Sequence, residues 1–335
     1  MSNIFGQLGN DQFHCFIEER EVMSVRSEQP EYVGADFMAR TDFWHRFRHA
    51  CTRVGDVNIH YVEGGDGPPI LLIPGWPQSW YAWRYVMPQL VDAGYRVIAV
   101  DPRGMGESDA PIGDYGLGTV AAELHHFAET IGLLEMGPID VVGHDVGTWI
   151  AYAWAADWPS DIRRVALLDA LIPGVSAPRT DLPVDEANRR SWHFAFNQLD
   201  GLPELLISGR EEVFLTWLFR VKSLQPWTIT AEDIAVYARQ LAAPGALRAV
   251  TGYYQSALSA EGVAANRLRA EKRLDIPVLV LGAERGVGNH MVKALQALAT
   301  NVQGEVVLNA GHYLPEEAAN RIADLLVGFF KLQGK

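Results

Sequence analysis

The sequence predicts an α/β protein built on a mostly parallel sheet with helices on both faces. Three observations carry this: short, continuously apolar segments recur along the chain, helical stretches separate them, and one long interval holds no strand. Apolar runs of five or six residues mark strands covered on both faces, as parallel strands are. Pro69–Pro74 (PILLIP) is the first such run, and YRVIAVD from Tyr95, PIDVVG from Pro138, RRVALLD from Arg163, IPVLVLG from Ile276 and GEVVLN from Gly304 follow. Helices are expected over 80–92, 118–131, 146–158, 289–299 and from about Glu316 to Lys331. Such alternation gives a doubly wound sheet. Ahead of it, period-two patterning on either side of Gly55-Asp56 predicts a hairpin, since a Gly-Asp step supplies the turn. The hairpin brings the sheet to eight strands, antiparallel at one edge.

The interval between Asp169 and Ile276 reads as helices alone: EANRRSWHFAFNQL, GREEVFLTWLFRVKSL, TAEDIAVYARQL and PGALRAVTGYYQSAL. Thr230 followed by Asp233 has the spacing of a capping box. The expected organisation is an N-terminal extension over 1–42, a core formed by 43–171 and 266–335, and an inserted helical lid over 172–265.

A formal net charge of -13 over 335 residues argues against nucleic acid and anionic membrane as partners. No apolar run approaches the roughly 20 residues of a membrane-spanning helix. The N-terminus is too polar and acidic for a secretory or transit signal, so a soluble cytoplasmic protein is expected. The two cysteines, Cys15 and Cys51, exclude a disulfide scaffold and favour two buried thiols over a single bridge. Neither metal-ligand spacing nor a glycine-rich phosphate loop is present, so no metal and no cofactor is expected.

The sharpest motif is VVGHDVGTW, Val141–Trp149, which follows an apolar strand and opens a helix. Gly143 and Gly147 flank Asp145 at the spacing of a nucleophile elbow. An Asp that merely caps a helix is the bland alternative. A nucleophile there sits on a strained turn that tolerates only small flanking residues. Aspartate is already ionised, with a reference pKa near ~3.9. It can displace a leaving group at saturated carbon and leave an enzyme ester, which disfavours an ordinary esterase or peptidase.

Cleaving that ester needs water, a base and an orienting acid, in chain order nucleophile, acid, histidine. His312, in NAGHYLPEE after the last strand, fits the base; most of the other histidines read as surface groups. Two acids compete. Asp169 ends RRVALLD and Glu284 follows the next strand, both on the rim where parallel strands end; Asp169 is preferred. The backbone N–H groups of Val146 and Trp76 are the expected oxyanion donors.

Taken together, GWPQSWYAWR, GHDVGTW and GHYLPEE resemble the corresponding segments of the α/β-hydrolase epoxide hydrolases, within them the bacterial Cif-type branch. The likeness runs from about Arg46 to the C-terminus. It implies the α/β-hydrolase fold, a covalent aspartyl ester and opening of an epoxide to a vicinal diol. RVALLDALIP resembles the strand that carries the acid, which supports Asp169. SWHFAFNQ and GYYQSAL resemble the lid pair, which implies that His193 and Tyr254 hold the epoxide oxygen, with Tyr253 in place of Tyr254 if the helix is rotated. An alkoxide leaves poorly unless a donor meets it; the competing reading of both residues is plain lid packing. Pro74 stands where the family usually has histidine. The rivals are a haloalkane or haloacid dehalogenase using the same aspartate, and a non-catalytic ligand-binding member of the fold. Dehalogenases generally carry Trp or Arg after the nucleophile, where this chain has Val146. The expected partners are a small apolar epoxide and water, and a homodimer is compatible with the sequence.

Overall fold

The computed structural model describes residues 42–176 and 183–331. The expected N-terminal extension, but for its last residue, and Cys15 lie outside them; Cys51 is half-buried. One sheet of eight strands organises the chain: β1 Phe47–Val54, β2 Val57–Gly64, β3 Pro69–Ile73, β4 Arg96–Val100, β5 Ile139–His144, β6 Ile162–Leu168, β7 Leu274–Ala283 and β8 Ala299–Val307. Their order is β1-β2-β4-β3-β5-β6-β7-β8. The Gly55-Asp56 turn closes the β1–β2 hairpin, and β2 also runs antiparallel to β4. All later pairings are parallel.

That order places the site. β3 lies between β4 and β5, so the chain leaves it in one direction and returns on its other side. The loops after β3 and β5 therefore meet at the reversal point, where the crevice of an open α/β sheet forms. The register keeps the carboxyl ends flush: Ile73 pairs with Gly143, His144 with Leu168, and Leu168 with Leu281. Residues just beyond β3, β5, β6 and β7 share one rim.

The apolar runs became strands because both faces are covered. Leu71, Leu72, Val141, Val142, Val280 and Leu281 are fully buried. The helix Val146–Asp157 is buried on every side over Val146–Ala155, as expected of a helix that is apolar all round. Leu117–Thr130 packs beside it.

Several boundaries differ from the sequence expectation. The helix expected over 80–92 divides into a 3-10 turn, Trp80–Trp83, and a helix, Met87–Asp92; Pro88 suits a new helix start and not an interior position. β8 begins at Ala299, not Gly304, and the helix before it ends at Leu295. The early part of β8 is polar and largely exposed, an edge strand paired with β7 alone, so it leaves no apolar run to read. The terminal helix starts at Ala319, after a separate turn at Leu314–Glu317.

Between β6 and β7 six helices are described, not four: Leu202–Ile207 and Ala260–Ala270 join Val184–Asn197, Glu211–Lys222, Ala231–Leu241 and Ala246–Ala257. Thr230 and Asp233 form the reciprocal capping box. Ala260–Ala270 spans the position 265 at which the lid was expected to end, and Arg269 holds Asp157 of the core at 2.6 Å. Among the described residues no helix is long and apolar enough to cross a membrane.

A buried polar cluster ties these helices to the core. Arg84 reaches Glu316 at 2.5 Å and Asp233 at 3.0 Å, and the Tyr81 hydroxyl donates to Asp233 at 2.8 Å. Tyr237 donates to Glu316 at 3.2 Å. Glu317 accepts the N–H groups of Leu224 at 2.8 Å, Gln225 at 2.9 Å and Gly311 at 3.0 Å. Burial raises Glu316 to about 7 against the opposing pull of Arg84. Removing the cation leaves buried carboxylates uncompensated, so Arg84→Met is expected to cost about 3–5 kcal/mol. Urea denaturation measures this, and an unchanged midpoint and slope would refute it.

Candidate active site

The β5–helix turn is strained where the nucleophile was expected. Asp145 has φ 53° and ψ -119°, outside the ordinary basins of a non-glycine residue. The flanking glycines explain how the turn closes. A Cβ at Gly143 would strike the carbonyl of Gly147, and one at Gly147 the carbonyls of Ile73 and Pro74. Thr148 ties the turn down by donating its hydroxyl to Gly143 O at 2.8 Å.

The carboxylate of Asp145 is divided between two partners. Oδ1 accepts the Trp76 backbone N–H at 2.8 Å, and Oδ2 lies 3.1 Å from Nε2 of His312. On its other side, Nδ1 of His312 lies 2.8 Å from Oδ2 of Asp169. Asp169 also has positive φ, 48°, and its Oδ1 accepts the N–H groups of Ala283 and Val287 at 2.8 Å each. Asp145, His312 and Asp169 thus meet on one rim. Glu284 does not join them: it is exposed, and accepts the Asn309 N–H at 2.8 Å. Val146 opens the helix, where its N–H has no intrahelical acceptor.

Residues of the helices between β6 and β7 pack beside this rim. Trp76 stacks on His193 with centroids 5.5 Å apart and meets Tyr254 edge-on at 5.4 Å, while His193 and Tyr254 are 5.6 Å apart. The Tyr254 hydroxyl and Nδ1 of His193 are buried and have no hydrogen-bond partner among the described residues. Buried polar atoms are almost always paired, so both atoms are candidate partners for a polar atom of a ligand. Tyr253 is committed elsewhere, donating to Arg103 O at 2.8 Å.

Three neighbours escaped the sequence reading. Lys222 ends the helix Glu211–Lys222, and its Nζ sits 3.1 Å from Nε2 of His193 and 5.9 Å from the Trp76 ring. His144, between Gly143 and Asp145, places Nε2 2.7 Å from the His312 carbonyl. Tyr313 is buried against His312, and its hydroxyl also lacks a partner among the described residues. His144 and Tyr313 adjoin motif residues, so adjacency was a usable signal; nothing local sets Lys222 apart.

The charges are arranged to keep Asp145 ionised. Burial opposes this, but His312, Lys222 and His144 prevail and hold the carboxyl well below the usual carboxylate range. Burial and Lys222 push His312 down, yet its bonds to Asp145 and Asp169 carry it above its ordinary value. Both ring nitrogens facing carboxylates is the pattern of an imidazolium. Burial, followed by the charge of His312, lowers His144 to about 4. Burial, then the charge of Lys222, keeps His193 neutral by pushing it well below its ordinary value. Burial raises Tyr254 well above the usual tyrosine range, reinforced by Asp145, so it stays a donor.

A strained carboxylate at a strand–helix elbow, backed by a His–Asp pair, is the arrangement that a nucleophile elbow requires. The chain belongs to the α/β-hydrolase fold family, whose sequence profile matches residues 68–319. It is 32% identical over 284 residues to the soluble epoxide hydrolase of Corynebacterium sp. (strain C12), covering 84% of this chain and 96% of that protein. Among solved structures it is similar to wild-type Cfl2 from Burkholderia cenocepacia, with TM-score 0.80 and 40% identity over 85% of this chain and 96% of that one. The epoxide hydrolase CorEH without ligand is similar at TM-score 0.75 and 32% identity, covering 85% of this chain and 98% of that one. The resemblance read from the motifs therefore stands.

The raised His312 and lowered Asp145 fix the sign of the pH dependence. The contribution of His312 to stability is full below its ordinary 6.5 and is lost as pH rises through its raised value. That of Asp145 is present above its ordinary 3.8 and is lost as pH falls through its lowered one. Imidazole NMR is expected to find His312 titrating above 6.5, and Asp145→Asn, by removing one of its carboxylates, should lower that value. An unmoved titration in the variant would contradict the pairing.

Proposed function

We propose that this protein is an epoxide hydrolase that opens a small apolar epoxide to a vicinal diol through an ester on Asp145. One observation carries the reading: the Asp145 carboxylate meets the His312–Asp169 pair and the Trp76 N–H, and the Trp76 ring packs against His193 and Tyr254, whose Nδ1 and OH are unpartnered among the described residues. The names of its relatives support the same reaction.

In the first half-reaction Oδ2 of Asp145 attacks an epoxide carbon while Tyr254 and His193 donate to the departing oxygen. Oδ1, bonded to Trp76 N–H, becomes the ester carbonyl oxygen. Alkylation neutralises Asp145 and so removes one of the two carboxylates that stabilise the His312 imidazolium. His312 then loses its proton and acts as base, oriented by Asp169. It takes a proton from water as that water attacks the Asp145 Cγ, and the N–H groups of Trp76 and Val146 hold the oxyanion until the diol leaves. Asp145 exposes only 5% of its surface, which supports 172–265 acting as a lid over the core of 43–171 and 266–335. A cytoplasmic setting and a homodimer belong to the same proposal.

The dehalogenase reading loses one halide donor, since the indole N–H of Trp149 is spent on Leu171 O at 2.8 Å, and keeps two, the indole N–H groups of Trp76 and Trp192 beside His193, unpartnered among the described residues. The test is intact-protein and peptide mass spectrometry with styrene oxide and epibromohydrin. His312→Gln should accumulate an adduct of enzyme plus epoxide on Asp145, and Asp145→Asn should form none. No adduct and no diol, with halide released from a haloacid instead, would overturn the reading. Asp169→Asn should lower turnover about 10³–10⁴-fold by releasing the imidazole tautomer, whereas Glu284→Gln should leave it near wild type. Equal losses in the two variants would contradict the assignment of the acid. Tyr254→Phe should slow ester formation about 10²-fold, read as the rate of the quenched-flow burst; an unchanged rate would remove Tyr254 from ring opening.

A further inference from the structure

An ammonium beside His193 is not needed to bind an apolar epoxide, yet Lys222 points into the site. Nζ can only donate, so at 3.1 Å from Nε2 it makes that nitrogen an acceptor and places the ring hydrogen on Nδ1, the nitrogen left without a protein partner. The tautomer that ring opening requires is thereby selected. Lys222 is fixed by the same loop that carries the base, because its carbonyl accepts the His312 N–H at 3.0 Å. The groups whose charge it meets are Asp145, Asp169, His193 and His312.

We infer that Lys222 is a positioning residue that stores the proton of the reaction, lending it through His193 to the epoxide oxygen and recovering it from His312. This rests on the epoxide reading above. The balance closes within the site. As Asp145 Oδ2 bonds to carbon and the C–O bond breaks, the alkoxide takes the Nδ1 proton of His193, and Nε2 takes one from Lys222. The proton that the His312 imidazolium sheds when Asp145 loses its charge passes through the bound water to Nδ1 of His193, whose Nε2 returns its own to the amine, so that the ammonium and the starting tautomer are both restored. His312, now neutral, takes a proton from the attacking water. Collapse of the ester transfers water's second proton to the product alkoxide and restores the Asp145 carboxylate. The site starts and ends with two anions, Asp145 and Asp169, and two cations, Lys222 and His312, and no proton crosses to solvent.

Desolvation of the ammonium supports this, lowering Lys222 to about 8 against the opposing pull of Asp145 and Asp169. It is charged below that pH and loses its proton above it, so it is poised to give one up. The experiment is the pH dependence of single-turnover ester formation with styrene oxide in a His312→Gln background, read by mass spectrometry of the Asp145 peptide. That background isolates ring opening but alters one charge facing Lys222, so single-turnover epoxide loss in otherwise wild-type protein is followed in parallel. Ester formation should fall as pH rises through about 8. Lys222→Met should slow it about 10²-fold and abolish that alkaline limb. Lys222→Arg should also abolish the limb, since guanidinium keeps its proton, and circular dichroism verifies that both variants fold.

Ring opening at an unchanged rate in Lys222→Met, or slow opening with the limb near 8 retained, would overturn the relay. A wild-type profile with no alkaline limb near 8 overturns it without recourse to any variant. An absence of ester even with Lys222 in place would instead sink the epoxide reading, and the relay with it.

Discussion

The proposed active site depends on a carboxylate whose two oxygens are held by different partners. Trp76 N–H fixes one, the His312 imidazole the other, and neither contact forms unless the β5 turn presents Asp145 at φ 53°. That conformation costs a non-glycine residue about 1–3 kcal/mol. The cost is met by the surroundings: Gly143 and Gly147 let the turn close on the β3 backbone, and Thr148 bonds its start. The sheet order brings the β3 and β5 loops together, so the elbow and the Trp76 amide are consequences of one topological reversal.

Charge explains why such a group survives burial. An isolated carboxylate in this setting would take up a proton. Here Asp145 and Asp169 are matched by His312 and Lys222, and the aromatic rings of Trp76, His193 and Tyr254 screen them from water. Preorganised donors in a dry site act more strongly than the same donors in solution. In the proposed reaction the helices between β6 and β7 supply two of them, His193 and Tyr254, and these helices are tied to the core through the Arg84–Asp233–Glu316 cluster and through Glu317.

Much of this was legible in the sequence because the signals are local. Apolar runs gave six strands, alternation about Gly55-Asp56 gave the other two, and the spacing of small residues about Asp145 gave the elbow. Position after the terminal strand singled out His312. What escaped was set by tertiary context. The early, polar half of β8 is an edge strand and has no pattern of its own. Choosing between Asp169 and Glu284 needed the distance to His312, and choosing between Tyr254 and Tyr253 needed to show which hydroxyl is already spent on Arg103. Lys222 lies 29 residues from His193 in sequence and 3.1 Å from it in space, a relation no spacing rule contains.

The account stands on Asp145 itself becoming the bonded atom, and oxygen-isotope labelling tests that most directly. In a single turnover with enzyme in excess over epoxide in water enriched in oxygen-18, the oxygen added to the diol should come from Asp145. The heavy isotope should appear in the peptide that contains Asp145 and be absent from the diol. Heavy oxygen in the first-turnover diol, with none in that peptide, would mean that water attacks the epoxide directly and would contradict the central claim.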